Sequence, residues 1–546
     1  MDQYRARSIP LDGIHIDVDI QDHYRTFTID TAADKFPDPK RMFGDLRAMG
    51  VKASTNITPV ISNGGVDASG YKTLQEGLAK NFFVSDNRYN DDGIGTNSSN
   101  ARYIYYDGGQ RIYVDAQSAF TGYPDPNFDF RAAYNSGRPY HGGVSYGNDL
   151  GTPGHYPDLN RQEVRDWWGK QYEYLFEQGL EFVWQDMTSP CVARERGDMK
   201  GFPFRLMVHS DAYPRQQGYP DKKTAIEMWS LYSYNLHKAT YKGLNSMELR
   251  KGKRNFIIGR GSFAGMHRYA GLWTGDNAST WKFLGISVAQ VLASGLSGGE
   301  VTGADVGGFM PDGSQSWADP ELVIRWYCAY SMLPWFRNHY HGKPGMKYFQ
   351  EPYVYTDHFW NPAWHDKLAA DAKMYLSVEP ICRYVIELRY TLMQLLYDAM
   401  FENQISGMPI ARALILNDIY DESLFKDTAE YLYRQYMVRN DLLVCPRLDT
   451  EKSGEPHKIY LPQPDSWYVL NLRPDHNEYP DRDSLKIAAR VKLQPKLAGG
   501  TLMEWDDGIR PNDPEHIPYI TPMFVREGLT ALYHTLTGFM LTIEVF

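Results

Sequence analysis

The stretch LEFVWQD at residues 180–186 decides the fold of this chain. It is a short apolar run that ends in a carboxylate, and the helical pattern RQEVRDWWGKQYEYLFEQ precedes it at 161–178. Apolar runs that alternate with helical patterns are typical of a parallel sheet. Further apolar runs that end in a polar or charged residue occur at 10–19, 51–58, 255–260 and 301–305, and weaker runs occur at 269–276 and 409–416.

Seven strand candidates alternating with helices predict an α/β fold, a (β/α)8 TIM barrel over residues 1–440. A complete barrel has eight strands, so we expect the first one to be missing from this chain. The stretches at about 62–150 and 191–220 are irregular in sequence and too long for ordinary connections, which predicts two long insertions. Loops of that length usually carry function. From residue 441 the apolar period changes to two, which predicts a C-terminal β-sandwich over 441–546. We expect this domain to be truncated, since the sequence stops within GFMLTIEVF.

Two helix starts can be read from capping residues. Asn160 with Glu163 is predicted to cap the segment 161–178, and Thr224 with Glu227 forms a capping box before the segment that begins at residue 225.

Composition excludes several classes of function. The chain has 546 residues, a net charge of -10 and 14% aromatic residues. An acidic chain is a poor match for a phosphate backbone, so no nucleic-acid partner is expected. The sequence contains no apolar run long enough to span a membrane, and its start lacks the apolar core of a signal peptide. Both observations predict an intracellular protein without a membrane partner. The four cysteines are widely spread without CxxC spacing, so neither a zinc site nor a disulfide framework is expected.

Acidic residues stand at the ends of several strand candidates, where a barrel places its active site. These residues are Asp17, Asp19, Asp186, Asp276 and Asp305. A single carboxylate at this position is as typical of a helix cap as of a catalytic residue, but several at one face need counter-charges, which we expect from Arg260 and Arg337. Paired carboxylates with Trp184, Met187, Trp273 and Phe309 nearby suit cleavage of a glycosidic bond. Sequons at Asn56, Asn97 and Asn277 are interpreted as accidental, because two of them lie at this predicted face.

Four segments of the chain resemble glycoside hydrolase family 31. They are WQDMTSP at 184–190, FIIGRGSFAGMHRYAGLWTGDNAS at 256–279, VTGADVGGF at 301–309 and FRNHY at 336–340. The resemblance implies that Asp186 is the nucleophile and Asp276 the general acid. It implies hydroxyl-binding roles for Asp17, Arg260, Asp305 and His339. It also implies a subsite wall of Trp184, Met187, Trp273 and Phe309, with an α-glucan or maltooligosaccharide as substrate.

At two positions the chain departs from the pattern of the family's hydrolases and resembles instead the red-algal and fungal α-1,4-glucan lyase branch of that family. Thr188 and Ser189 replace the usual Asn-Glu pair, and Thr58-Pro59 replaces Asp-Pro. This resemblance implies exo-acting cleavage to 1,5-anhydrofructose through a glycosyl-enzyme, without water, metal or cofactor. The alternatives are an α-glucosidase of the same family and a non-catalytic glucan-binding remnant. A metal-dependent glycosyltransferase is a further alternative, and only the DxD motif Asp17-Val18-Asp19 supports it. In a strand, side chains alternate between the two faces, so both carboxylates would lie on one face.

Overall fold

The computed structural model describes most of the chain. The described residues are 1–63, 68–86, 138–140, 142–146, 149–192, 201–203, 206–210, 221–310, 317–341, 349–426, 429–470, 496–511 and 513–528, with the strands Tyr103–Asp107, Gln110–Val114, Thr530–His534 and Met540–Glu544. Much of both predicted insertions, the strand candidate at 484–493 and Asn97 lie outside the described residues. The chain divides into two compact units, Asp12–Leu272 and Met1–Leu11 with Trp273–Phe546.

The unit Asp12–Leu272 is built on a parallel sheet. Gly13–Ile16, Lys52–Ile57, Val183–Gln185 and Ile257–Arg260 pair in chain order, and Gly271–Trp273 follows in the sheet. Five of the predicted strands are therefore confirmed. Because parallel strands end at one edge of a sheet, the residues that follow them share that edge.

Two helices of this unit pack against each other at close range. A methyl group on Gly169, in Gln162–Lys170, would lie 2.6 Å from Cα of Gly243, in Ala225–Ser246. Glycine at both positions permits this approach.

The capping predictions have different outcomes. The box of Thr224 and Glu227 at the start of Ala225–Ser246 is confirmed. The cap predicted for Asn160 is wrong, because the helix begins at Gln162 and Oδ1 of Asn160, the atom that a cap would use, accepts from Nδ2 of Asn235 at 2.9 Å.

The other elements of this unit are short. The helices, including 3-10 turns, are Val18–Ile20, Asp22–Tyr24, Pro39–Ala48, Ala68–Gly70, Lys72–Ala79, Glu173–Gln178, Glu248–Arg250 and Met266–Arg268. The strands are Ile61–Ser62, Ser85–Asp86, Tyr103–Asp107, Gln110–Val114, Arg138–Pro139, Gly142–Tyr146, Asp149–His155, Met207–His209 and Lys222–Thr224.

The second unit contains the short strand Thr302–Gly303. Its helices surround a large apolar core in which Trp326, Val323 and Cys328 are fully buried. The helices, including 3-10 turns, are Asp2–Ala6, Trp281–Leu296, Pro320–Tyr330, Pro352–Trp360, His365–Leu368, Ala369–Asp371, Ala372–Thr391, Met393–Ser406, Leu414–Leu416, Glu422–Phe425, Tyr431–Arg434, Glu451–Ser453 and Ile517–Ile520. Among the described residues, none of the helices in either unit has the length and apolar character to cross a lipid bilayer.

Antiparallel sheets form the C-terminal part of this unit, as the change of period predicted. Six strands pair in the order Ala411–Arg412, Tyr436–Val438, Leu442–Val444, Met523–Arg526, Ser466–Val469 and Leu497–Ala498. Two further pairs are His457–Leu461 with Thr501–Trp505 and Thr530–His534 with Met540–Glu544. The barrel strand expected at 409–416 is wrong, because Ala411–Arg412 pairs antiparallel with Tyr436–Val438 and belongs to the C-terminal sheet.

Candidate active site

Asp186 follows the strand Val183–Gln185, and both of its carboxylate oxygens accept hydrogen bonds. Oδ1 accepts from the backbone N–H of Met187 at 2.6 Å and from Nη1 of Arg260 at 2.9 Å. Oδ2 accepts from Nδ2 of Asn56 at 3.2 Å. Donors and a guanidinium favour the charged form of a carboxylate. These contacts therefore stabilise Asp186 as an anion, and the counter-charge predicted from Arg260 is confirmed.

Asp17 follows the strand Gly13–Ile16, which is separated from Val183–Gln185 by the strand Lys52–Ile57. Its Oδ1 accepts from the backbone N–H of Val18 at 2.7 Å and from Nδ2 of Asn56 at 2.8 Å. Asp17 thus caps a short 3-10 helix and shares the amide of Asn56 with Asp186. We call Asp17, Asn56, Asp186 and Arg260 the Asp186 cluster.

The expectation that Asp17 and Asp19 lie on one face of a strand is wrong. The strand ends at Ile16, and Asp19 is exposed in the 3-10 helix that Asp17 caps. A turn rather than an extended strand separates the two carboxylates, so the oxygen pair of a DxD metal site does not form. Across the residues that the structure describes, no group of three or more His, Cys, Asp or Glu side chains is arranged to hold a metal ion.

Two predicted wall residues flank Asp186 in the sequence. Trp184 is buried, and its ring contacts the ring of His15 edge to face at 5.7 Å. Met187 is half-buried and has a φ of 53°, a left-handed conformation that is uncommon for a residue with a side chain. Such backbone strain often accompanies functional sites.

Thr188 and Ser189 complete the loop after Asp186. Thr188 is fully buried, and its carbonyl accepts a hydrogen bond from Oγ of Ser233 at 2.8 Å. Ser189 lies with its Oγ 3.4 Å from Sγ of Cys191, and it lines a small cavity together with Asp158 and Tyr232. The loop is therefore packed against the helix Ala225–Ser246 and offers no carboxylate between Met187 and Cys191.

Asp276 belongs to the second unit and is exposed in the segment after Gly271–Trp273. Its neighbour Asn277 is buried and exchanges two hydrogen bonds with the backbone of Asp305, donating at 3.0 Å and accepting at 3.3 Å. The carbonyl of Asn277 also accepts from the N–H of Phe309 at 2.8 Å. Asn277 thereby fixes the segment of Asp276 to the segment that begins at Asp305.

Asp305 forms a second charged cluster with Arg337 and Trp273, which we call the Asp305 cluster. Nε and Nη2 of Arg337 both donate to Oδ1 of Asp305, at 2.9 and 2.6 Å. The guanidinium carbon of Arg337 lies 5.1 Å from the centre of the Trp273 ring. The counter-charge predicted from Arg337 is confirmed, and Trp273 provides a face for the cation.

Phe309 and His339 lie together in the second unit. Their rings stack at 5.2 Å with an interplanar angle of 23°, and His341 contacts Phe309 edge to face at 5.7 Å. Both Phe309 and His339 are half-buried, so part of each ring is open to a ligand. Their roles toward a sugar remain predictions.

Sequence reasoning missed the roles of Asn56 and Asn277. Both had drawn notice only as glycosylation sequons, and each is 1% exposed. A signal was available for Asn277, a polar residue at a predicted strand end directly after Asp276, but none for Asn56, whose sequence neighbours are Thr55 and Ile57. Their burial agrees with the interpretation that these two sequons are accidental.

Comparison with family models assigns both parts of the chain. The model of the glycosyl hydrolases family 31 TIM-barrel domain matches residues 1–399, and that of the family 31 C-terminal domain matches residues 407–529. The chain therefore belongs to glycosyl hydrolase family 31. The predicted fold class, a TIM barrel followed by a C-terminal β-domain, is confirmed.

Individual relatives have several activities. Alpha-glucosidase 2 of Bacillus thermoamyloliquefaciens is 27% identical over 440 residues, which cover 81% of this chain and 43% of that protein. The structure of the α-1,4-glucan lyase of Gracilariopsis lemaneiformis, a covalent intermediate complex with 5-fluoro-idosyl fluoride, matches with a TM-score of 0.71 and 21% identity. The match covers 97% of this chain and 48% of that one.

A dextranase of Flavobacterium johnsoniae complexed with glucose matches with a TM-score of 0.65 at 21% identity, covering 98% of this chain and 50% of that one. At such identities the structural likeness shows the fold alone. The chain spans about half the length of these relatives.

Proposed function

We propose that the chain is an exo-acting α-1,4-glucan lyase. In this proposal it cleaves terminal α-1,4-glucosidic bonds of starch, glycogen and maltosaccharides by elimination and releases 1,5-anhydrofructose. Membership of family 31 supports an enzyme acting on α-glucans. The finer assignment rests on Thr188 and Ser189, which leave the loop after the nucleophile without the carboxylate that the family's hydrolases usually carry.

The observation that carries the proposal is the environment of Asp186. A nucleophilic carboxylate must be ionised and held in one orientation. Oδ1 of Asp186 is held by Met187 and Arg260, whereas Oδ2 accepts only the longer bond from Asn56 among the hydrogen bonds of the described residues. Because Oδ2 accepts fewer and weaker hydrogen bonds than Oδ1, it is the oxygen better suited to attack an anomeric carbon.

The first chemical step is substitution at the anomeric carbon. Asp186 attacks C1 of the terminal glucose while Asp276 donates a proton to the departing glycosidic oxygen. The C1–O bond to the leaving sugar breaks, and an ester bond between C1 and Asp186 forms. Asp17, Arg260, Asp305 and His339 are proposed to bind glucose hydroxyls, with Trp184, Met187, Trp273 and Phe309 as the surrounding wall.

The second step is elimination. The ester bond from C1 to Asp186 breaks, and the departing carboxylate takes the proton from C2. The electron pair of the C2–H bond becomes a C1–C2 double bond, and the resulting enol rearranges to 1,5-anhydrofructose. Asp186 then loses the proton and Asp276 regains one, so the enzyme returns to its starting state.

An α-glucosidase is the second candidate, because the curated relatives include proteins named as α-glucosidases. In that reaction water attacks C1 of the glycosyl-enzyme, and Asp276 accepts the proton of that water. The two candidates share their first step. They differ in how the ester between C1 and Asp186 is broken, by loss of the proton from C2 in the lyase or by attack of water on C1 in the glucosidase.

Product analysis on maltose tests the proposal. Incubation of the full chain should give 1,5-anhydrofructose and glucose in equal amounts, separated and identified by mass spectrometry and NMR. Glucose alone would assign a hydrolase. A chain that forms neither product would overturn the enzyme assignment and leave the glucan-binding remnant. The variant Asp186→Asn is the control, since it keeps the size of the side chain and removes the nucleophile.

A further inference from the structure

The amide of Asn56 donates to two carboxylates at once. Its Nδ2 lies 2.8 Å from Oδ1 of Asp17 and 3.2 Å from Oδ2 of Asp186. A primary amide has two N–H groups, so one hydrogen is available for each carboxylate. Asn56 thus connects the acidic residues that follow two different strands.

Strand register explains this placement. Thr55 pairs with Ile16, so Asp17 continues alongside Asn56, and Trp184 pairs with Asn56 on the other side. Asp186 lies two residues beyond Trp184, and its backbone N–H donates to the carbonyl of Ile57 at 3.0 Å. The central strand Lys52–Ile57 therefore brings Asn56 between the two carboxylates.

The hydrogen bonds of Asn56 differ from those of a structural buried asparagine. Its side-chain donors serve only the two carboxylates, while its own Oδ1 is buried and makes no hydrogen bond with any described residue. Asn235 is the matched contrast in the same unit. It is also buried with an unbonded Oδ1, but its amide donates to a neutral partner, Oδ1 of Asn160, at 2.9 Å.

We propose that Asn56 is a positioning residue that sets the spacing of Asp17 and Asp186 by donating one hydrogen bond to each carboxylate. The inference rests on the proposed function, in which Asp186 is the nucleophile and Asp17 binds the terminal glucose. Two carboxylates on either side of the strand Lys52–Ile57 repel each other, and a shared donor offsets that repulsion. Charged or titratable groups near them include Arg260, which bonds to Asp186, and Asp19 and His15, which flank Asp17 in the sequence.

Kinetics of Asn56→Ala should show both roles. A hydrogen bond to a charged group contributes enough that its loss should lower kcat/KM on maltose about 10- to 100-fold. KM should rise because Asp17 is displaced, and kcat should fall because Asp186 is no longer held. The acidic limb of the kcat/KM profile should move to higher pH, whereas Asn235→Ala should leave that limb in place. An unmoved limb in Asn56→Ala would overturn the proposal.

A second readout does not depend on turnover. A donor stabilises a carboxylate most while that carboxylate is ionised, so the thermal midpoint of Asn56→Ala should fall further below wild type at about pH 7 than at about pH 3, below the ordinary pKa of an aspartate. The deficit of Asn235→Ala should be the same at both. Asn56→Asp has the size of asparagine and serves where the alanine variant does not fold; its deficit should shrink toward acid pH.

The two readouts separate the possible failures. A wild-type chain that forms no product from maltose would contradict the proposed function, yet the comparison of thermal midpoints would still decide the role of Asn56. A deficit of Asn56→Ala that is independent of pH, like that of Asn235→Ala, would overturn the inference.

Discussion

Arg337 donates two hydrogen bonds to a single oxygen, Oδ1 of Asp305. Asp305 is 1% exposed and Arg337 is also buried, so water compensates neither charge. The burial of such a pair is costly, but the loss of one partner is costlier, because the other charge stays buried alone.

Arg337→Met should therefore lower the free energy of unfolding by about 3–5 kcal/mol, measured by urea denaturation. Arg337→Lys should lose less, since it keeps the charge and gives up the two-pronged contact. The control is Arg510→Met, whose partner Asp506 is exposed; its loss should be about 0–1 kcal/mol. Equal losses of unfolding free energy in Arg337→Met and Arg510→Met would show that the buried pair contributes no more to stability than the exposed one.

The assignment of Asp276 as general acid predicts a dependence on the leaving group. Asp276→Ala should lower kcat/KM on maltose by about 10²–10⁴-fold, because the glycosidic oxygen then leaves without a proton. On α-glucosyl fluoride the loss should be much smaller, since fluoride needs no proton to depart. Fluoride release and sugar release give the two rates. Asp186→Ala is the control and should lose both activities; parallel losses for Asp276→Ala would contradict its role as acid.

The loop after the nucleophile offers a test of the partition between elimination and hydrolysis. The double variant Thr188→Asn with Ser189→Glu should shift the product ratio from anhydrofructose toward glucose, because the new carboxylate can orient a water molecule. The shift should be partial. Ser189 lines a cavity with Asp158, whose charge would repel an added Glu.

Thr188 complicates this variant, because it is fully buried beneath Ser233. A larger side chain there should cost about 1–3 kcal/mol of stability. Ser189→Glu alone separates the effects, and Ser189→Ala is its control. An unchanged product ratio in all three variants would show that these two positions do not control the partition.

Glu387 predicts a pH dependence of stability. It is 3% exposed in the helix Ala372–Thr391, and burial raises its pKa from 4.5 to about 7. Below about pH 4 both the folded and the unfolded states carry the proton, so the group has no effect. Between the two pKa values the unfolded state ionises first, so stability falls as pH rises and the penalty is complete above about pH 7.

Glu387→Gln should remove that penalty. Relative to wild type, its gain in stability should grow from about zero at pH 4 to at most about 3 kcal/mol at pH 8. Thermal unfolding across this range measures it. Glu248→Gln is the control, because Glu248 is 87% exposed on its side chain and no buried charge is removed. A gain that does not change with pH would rule out titration of Glu387 as the cause.

The outline of the fold and its charge pairs could be predicted because each depends on local pattern. Apolar runs that end in a polar or charged residue located the parallel strands, and the repulsion among the carboxylates at several of these ends required the cations that Arg260 and Arg337 supply. The run at 409–416 failed for a physical reason. A short apolar segment suits a parallel or an antiparallel partner equally, and its choice depends on the strand Tyr436–Val438 that follows.

The role of Asn56 could not be predicted in the same way. It depends on the register between three strands, which sets Asn56 beside both Asp17 and Trp184. The prediction for Asn160 failed for a similar reason, because its Oδ1, the atom that a helix cap would have used, accepts from the distant side chain of Asn235. Residues that act through long-range register leave no periodic trace in the sequence.

The contact of Gly169 with Gly243 has a consequence for which substitutions this chain can accept over evolutionary time. A methyl group at either position would force the two helices apart by about 1 Å to reach normal van der Waals separation. The helix Ala225–Ser246 would move with it, and Ser233 on that helix holds the carbonyl of Thr188, two residues beyond Asp186. Any selection that preserves the loop after Asp186 therefore extends to two glycines outside the Asp186 cluster.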